Sequence, residues 1–98
     1  MLFWVHSSLA ELFRDEGRFE DAQAHIEHAK PYTVTGPHYL AYVMGLQAHL
    51  WYEQYRFEEA RSEVLRAADC FEKLGAAKDL EWCRGLLQAI QRELDAPA

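Results

Sequence analysis

The chain lacks most of the patterns in which active sites are written. Its five glycines stand singly and form no phosphate-cradling loop. Lys and Arg number 10 against 16 Asp and Glu, a net charge of −6, and the bases are scattered. Displacing counter-ions from a phosphate backbone needs a basic stripe, so nucleic acid and anionic membrane surfaces are poor partners for it. The two cysteines, Cys70 and Cys83, have no close metal spacing and fall in separate helical segments. They read as packed, reduced thiols, which favours a cytosolic or nuclear setting, and of these the cytoplasm is expected. No apolar run approaches the roughly 18 to 20 residues that span a bilayer. The opening "MLFWVHSSLA" has no basic leader and its apolar run stops after five residues, so it reads as part of the fold rather than a signal peptide. No segment alternates with the period of two that a strand requires.

What is present is a phrase written twice. "GRFEDAQAHIEHA" from Gly17 returns 38 positions later as "YRFEEARSEVLRA" from Tyr55. Arg18, Phe19, Glu20, Ala22 and Ala29 recur as Arg56, Phe57, Glu58, Ala60 and Ala67, and Asp21/Glu59 and Ile26/Val64 are conservative exchanges. Around these phrases apolar residues repeat at helical spacing and place five helices at about 2–15, 19–30, 37–53, 57–74 and 77–94, in one domain over 1–94 with a tail at 95–98. The first helix carries two apolar stripes side by side, so it wants neighbours on two sides. The third is apolar around nearly its whole circumference, which makes it the centre of the domain. "PYTVTGP", with Pro31, Gly36 and Pro37, reads as the one real loop. On the outer face of the fourth helix Asp69 and Lys73 are spaced to pair at i, i+4.

Two helices joined by a tight turn cannot bury both faces alone, whereas stacked pairs bury a continuous core with small residues at the close contacts. Ala22, Ala29, Ala60 and Ala67 are those small residues, and Phe13, Trp51, Phe19 and Phe57 fill the gaps at the turns. In this the chain resembles the tetratricopeptide repeat family. The first unit matches with Leu9, Ala10, Phe13, Gly17, Phe19, Ala22, Ile26 and Ala29, and the second with Ala48, Trp51, Phe57, Ala60, Val64 and Ala67. His6 and Met44 stand where the family has Trp, Gln47 where it has Leu and Tyr55 at the turn glycine; no Pro closes either unit, and the spacing of 38 exceeds the usual ~34. The segment beginning "EARSEVLRAADCFEKLG" also resembles the carboxy-terminal end of longer fungal tetratricopeptide arrays, which would make the chain a fragment of such an array. The resemblance implies an all-α, right-handed solenoid of two helical hairpins and a C-terminal capping helix.

The remaining chemistry is thin. "HIEH" puts His25 and His28 one turn apart, but both lie off the apolar stripe of their helix and read as solvated, while His6 reads as packed, so no metal site is expected. Carboxylates cluster at helix starts and not in pairs within an apolar pocket, and Ser7, Ser8 and Ser62 lack a nucleophile's context, so neither catalysis nor a cofactor is expected. The resemblance implies a protein or peptide partner held in a concave groove lined by the first helix of each pair. Carried over residue by residue, that groove contains Trp4, Ser8, Glu11, Arg14, Asp15, Tyr42, Gly45, His49, Tyr52, Glu53, Arg84 and Gln91. Ser7, Glu11, Gly45 and His49 replace the Lys and Asn of the family's carboxylate clamp, which argues against Hsp70 or Hsp90 tails as ligands. The other reading is a purely structural terminal piece of a longer solenoid with no ligand of its own. A second apolar stripe at Leu2 and Val5 also implies self-association through the first helix.

Overall fold

The computed structural model describes residues 2–97; Met1 and Ala98, the first residue of the expected domain and the last of the expected tail, lie outside the described residues. Five α-helices follow one another: α1 (Leu2–Asp15), α2 (Phe19–Ala29), α3 (Pro37–Glu53), α4 (Phe57–Leu74) and α5 (Ala77–Asp95). There is no strand among the described residues. The radius of gyration is 13.0 Å, close to the ~13 Å of a compact domain of about 100 residues.

Three of the four joints are one motif used three times. At the end of α1, the Gly17 amide donates to Arg14 O and the Arg18 amide to Phe13 O at 3.0 and 2.8 Å. At the end of α3, Tyr55 donates to Tyr52 O and Arg56 to Trp51 O at 3.1 and 2.9 Å. At the end of α4, Gly75 donates to Glu72 O and Ala76 to Phe71 O. Each closes the orphan carbonyls of a helix end around one left-handed residue, Gly17 (φ 78°), Tyr55 (φ 63°) or Gly75 (φ 70°). The helices that follow begin after Arg18, Arg56 and Ala76, none of which caps with its side chain. In the first two, Arg18 instead pairs with Asp21 at 2.8 Å and Arg56 with Glu59, and the acids of those first turns complement the helix dipole. The guanidinium groups also lie over Phe13 and Trp51, 4.4 and 5.4 Å from the ring centroids. The phrase repeated in the sequence is therefore a repeated joint.

The fourth joint corrects the sequence reading. "PYTVTGP" is not an irregular loop: α2 ends at Ala29 and a 3-10 helix runs over Lys30–Thr35. Pro31 is tolerated there because it sits in the first turn, where its missing N–H has no partner to lose. The Thr33 hydroxyl donates to Lys30 O at 2.7 Å.

Helix α3 touches every other helix, and two cores meet on it. Val43, Leu46 and Leu50 pack with Phe3, Ala10, Ala22, Ile26 and Ala29 of the first hairpin. Ala41, Met44 and Ala48 pack with Ala60, Val64, Ala67 and Phe71 of α4 and with Cys83, Leu86 and Ile90 of α5. This is why α3 is apolar all round. Gln47, the departure from the family's Leu, is buried and satisfied: its amide and that of Gln23 on α2 each donate to the other's carbonyl at 2.8 Å. The Asp69–Lys73 pair forms on α4 at 2.9 Å.

Candidate functional site

Two faces and one edge of the molecule carry polar chemistry. The first face is made by α1, α3 and α5. Spacing of seven and three on α3 puts Tyr42, His49 and Tyr52 along it, and the fold brings Trp4 and Glu11 of α1 to Tyr42. The Tyr42 hydroxyl donates to Glu11 Oε1 at 2.6 Å. Its ring stacks on Trp82 (5.7 Å, 28°) and meets Trp4 edge-on at 5.3 Å. Burial, then the Glu11 carboxylate, push the phenol well above its ordinary range, so it stays a neutral donor.

A second group follows along the same helix. Arg14 pairs with Asp15 at 3.0 Å, with only 11% of its side chain exposed. His49 Nε2 lies 3.5 Å from Glu53 Oε1, and the Tyr52 ring is 6.2 Å from the His49 ring. Burial first, and then the Arg14 charge, lower the His49 pKa from its usual 6.5, while Glu53 and Asp15 act the other way. Tyr52 also packs against the second core. Arg84 stands exposed on α5, outside all of these contacts.

Gly45, expected to line this groove, is instead buried beneath Trp82. A Cβ there would lie 2.6 Å from Trp82 Cη2 and nearer still to Cζ3. The indole occupies the space that a groove would need, and a side chain at position 45 would displace it.

The opposite face holds a cleft that sequence reasoning missed. It lies between α2 and α4 with α3 as its floor, encloses about 630 Å3, and is lined by Leu40, Val43, Met44, Gln47 and Trp51 below and by Gln23, Glu27, Lys30, Arg56, Glu63 and Arg66 around them. Its rim is self-neutralising: Lys30 pairs with Glu27 and Arg66 with Glu63, each at 2.9 Å. No local pattern marks it, because which side of α3 stays open depends on how α2 and α4 pack against it.

At the edge between α1 and α2 the histidines, read from the sequence as separate, come together, with His28 exposed as expected. His25 and His28 are not solvated independently; with His6 they converge, one ring nitrogen of each lying within 4.8 Å of those of the other two. Two come from α2 and one from α1, so the cluster exists only because the helices pack in this register. Buried Cys83 has its thiol pushed up to about 11, chiefly by burial, and is inert as a nucleophile near neutral pH.

No family model, curated protein or solved structure matches this chain.

Proposed function

We propose that the chain is a cytoplasmic interaction module of tetratricopeptide type, two hairpins and a capping helix wound as a right-handed solenoid, that binds a segment of another protein and catalyses nothing itself. The observation that carries this reading is the cleft between α2 and α4: about 630 Å3, with a floor that is apolar except for Gln47 and a polar rim, within the ~300–1,000 Å3 range of ligand sites. The equivalence of the joints at Gly17 and Tyr55 supports the repeat. Because Glu27, Lys30, Glu63 and Arg66 are paired among themselves, the rim offers no strong field, and recognition rests on apolar area. The occupant is accordingly a peptide that inserts apolar side chains over Leu40, Val43, Met44 and Trp51. The face with Trp4, Tyr42 and Trp82 is less suited, because its aromatic rings pack on one another and the polar tip of Tyr42 is engaged by Glu11.

Leu40 is 41% exposed, so it can be changed without emptying the core. Peptides selected from a displayed library against the full chain are expected to bind Leu40→Glu about tenfold more weakly or worse and Arg84→Ala as well as the parent. Peptides indifferent to Leu40→Glu but lost on Arg84→Ala would move the site away from the cleft, onto α5. A library yielding no binder would sink the reading.

The second reading, an end-piece of a longer stack, draws on a different observation. Leu2, Val5 and Leu12 form a stripe along α1 and are 59, 48 and 51% exposed, whereas terminal repeats ordinarily present a polar outer face. The same stripe would support self-association. Light scattering at micromolar concentration should show the double variant Leu2→Glu, Val5→Glu to be more monomeric than the parent; a strictly monomeric parent counts against self-association.

A further inference from the structure

We propose that His6, His25 and His28 form a binding site for a divalent transition-metal ion, zinc in the first instance, which clasps α1 to α2. The inference is independent of the cleft. Three imidazoles from two helices already stand within reach of one ion, one nitrogen of each no more than 4.8 Å from those of the other two. The tightest pair, His6 Nδ1 and His25 Nδ1, is 3.0 Å apart. Two nitrogens bound to one tetrahedral zinc at about 2.0–2.1 Å are separated by roughly 3.3 Å. That pair is therefore near bound spacing, and the widest approach has to close by roughly 1.5 Å, a rotation of side chains.

The rings are held rather than merely crowded. His6 stacks on His25 at 5.3 Å, Phe13 stacks on His25 at 5.4 Å, and His28 meets both other imidazoles edge-on at 5.1 and 5.6 Å. His6 and His25 are half-buried while His28 is exposed, which leaves one side open for the ion to enter and for a water to complete four-coordination. Imidazole binds metals only when neutral, and of the three it is His25 whose surroundings favour that form. Partial burial and the charges of the other two histidines lower the His25 pKa. The one acid acting on it, Asp21, is already paired with Arg18 at 2.8 Å. All-nitrogen donors select zinc, copper(II) or nickel(II) over the oxygen-seeking magnesium and calcium. In the metal-free pair one Nδ1 carries the hydrogen shared with the other; when both Nδ1 atoms bind the ion, that hydrogen sits on Nε2 of the same ring, and no proton is lost.

The test uses the full chain without a histidine tag. Titration calorimetry with zinc chloride is expected to show one ion per chain at micromolar affinity or better, and cobalt(II) to give the visible absorption of a four-coordinate ion. Loss of a group that only orients a metal ligand costs about 10- to 100-fold in affinity, so removing a ligand by His28→Gln should cost at least that. His38→Gln, which changes a histidine bonded to Asp79 at 3.0 Å well away from the cluster, should change nothing. Zinc should raise the melting temperature of the parent, reversibly with chelator, and not that of His28→Gln. Because His28 is exposed, that variant keeps the fold, and circular dichroism checks it. Absence of binding, or equal zinc affinity in His28→Gln and the parent, overturns the proposal.

Discussion

The two hairpins close with the same hydrogen bonds on different residues. In the first, the left-handed position is Gly17, for which a positive φ costs nothing; in the second it is Tyr55, held at φ 63° with its side chain 82% exposed. For an L-residue that conformation costs roughly 1–2 kcal/mol. The second hairpin sustains it because α3 packs on the first hairpin and both α3 and α4 pack on α5, whereas α1 has a face with no neighbour. The comparison teaches that the joint is defined by its bonding frame, Arg18 to Phe13 and Arg56 to Trp51, and that neighbours decide how much local strain a unit can carry.

The largest effect that would break or sharpen this contrast comes from the cores. Phe3 and Phe71 are both fully buried, one in each core. Truncating either to Ala is expected to cost about 3–5 kcal/mol, a large part of the ~5–15 kcal/mol available to a domain. The distribution should differ: in native-state hydrogen exchange, Phe3→Ala should lower protection in α1 and α2 and leave α4 and α5 protected, while Phe71→Ala lowers it throughout. Uniform loss in both would show one cooperative unit and erase the distinction.

Next come Ser7 and Gly45, equivalent positions 38 residues apart. Gly45→Ala forces the Trp82 indole off α3 and should destabilise by about 1–3 kcal/mol. Ser7 is buried, and its hydroxyl has no hydrogen-bond partner among the described residues. Ser7→Ala should therefore be neutral or stabilising by up to about 1 kcal/mol. Urea unfolding read by circular dichroism measures both, and a destabilising Ser7→Ala would mean that its oxygen is satisfied by water.

The turns give smaller shifts of opposite sign. Tyr55→Gly should stabilise by about 1 kcal/mol and Gly17→Ala destabilise by about as much. Equal responses in sign would show that the Tyr55 ring, 6.1 Å from Phe57, contributes more than its backbone costs.

The smallest effect is on pH. His49 has its folded pKa lowered below the usual 6.5 by burial and Arg14, against Glu53 and Asp15. The unfolded chain then binds the proton more readily, so its contribution to stability is present above pH 6.5 and fades as pH falls through the lowered folded value. His49→Gln should flatten that part of the pH profile of the melting temperature, and an unchanged profile would assign the acid sensitivity to other groups.

Sequence and tertiary structure divided the work along a physical line. The five helices, the repeat and the Asp69–Lys73 pair were legible because each depends on residues a few positions apart: periodicity of 3.6, Gly17 and Gly75 as stops, acids at helix starts. The 3-10 turn over Lys30–Thr35 was not, since prolines and β-branched residues mark an interruption without specifying its shape. Around the candidate sites, the Trp4, Glu11 and Tyr42 grouping could be anticipated from helix faces alone. The seating of Trp82 on Gly45, the cleft between α2 and α4, and the meeting of His6 with His25 and His28 could not. Local pattern determines that a residue lies on a given face of its own helix. How far one helix slides and turns against the next is decided by packing many side chains at once, and that register sets which histidines meet, which glycine is covered and which side of α3 stays open.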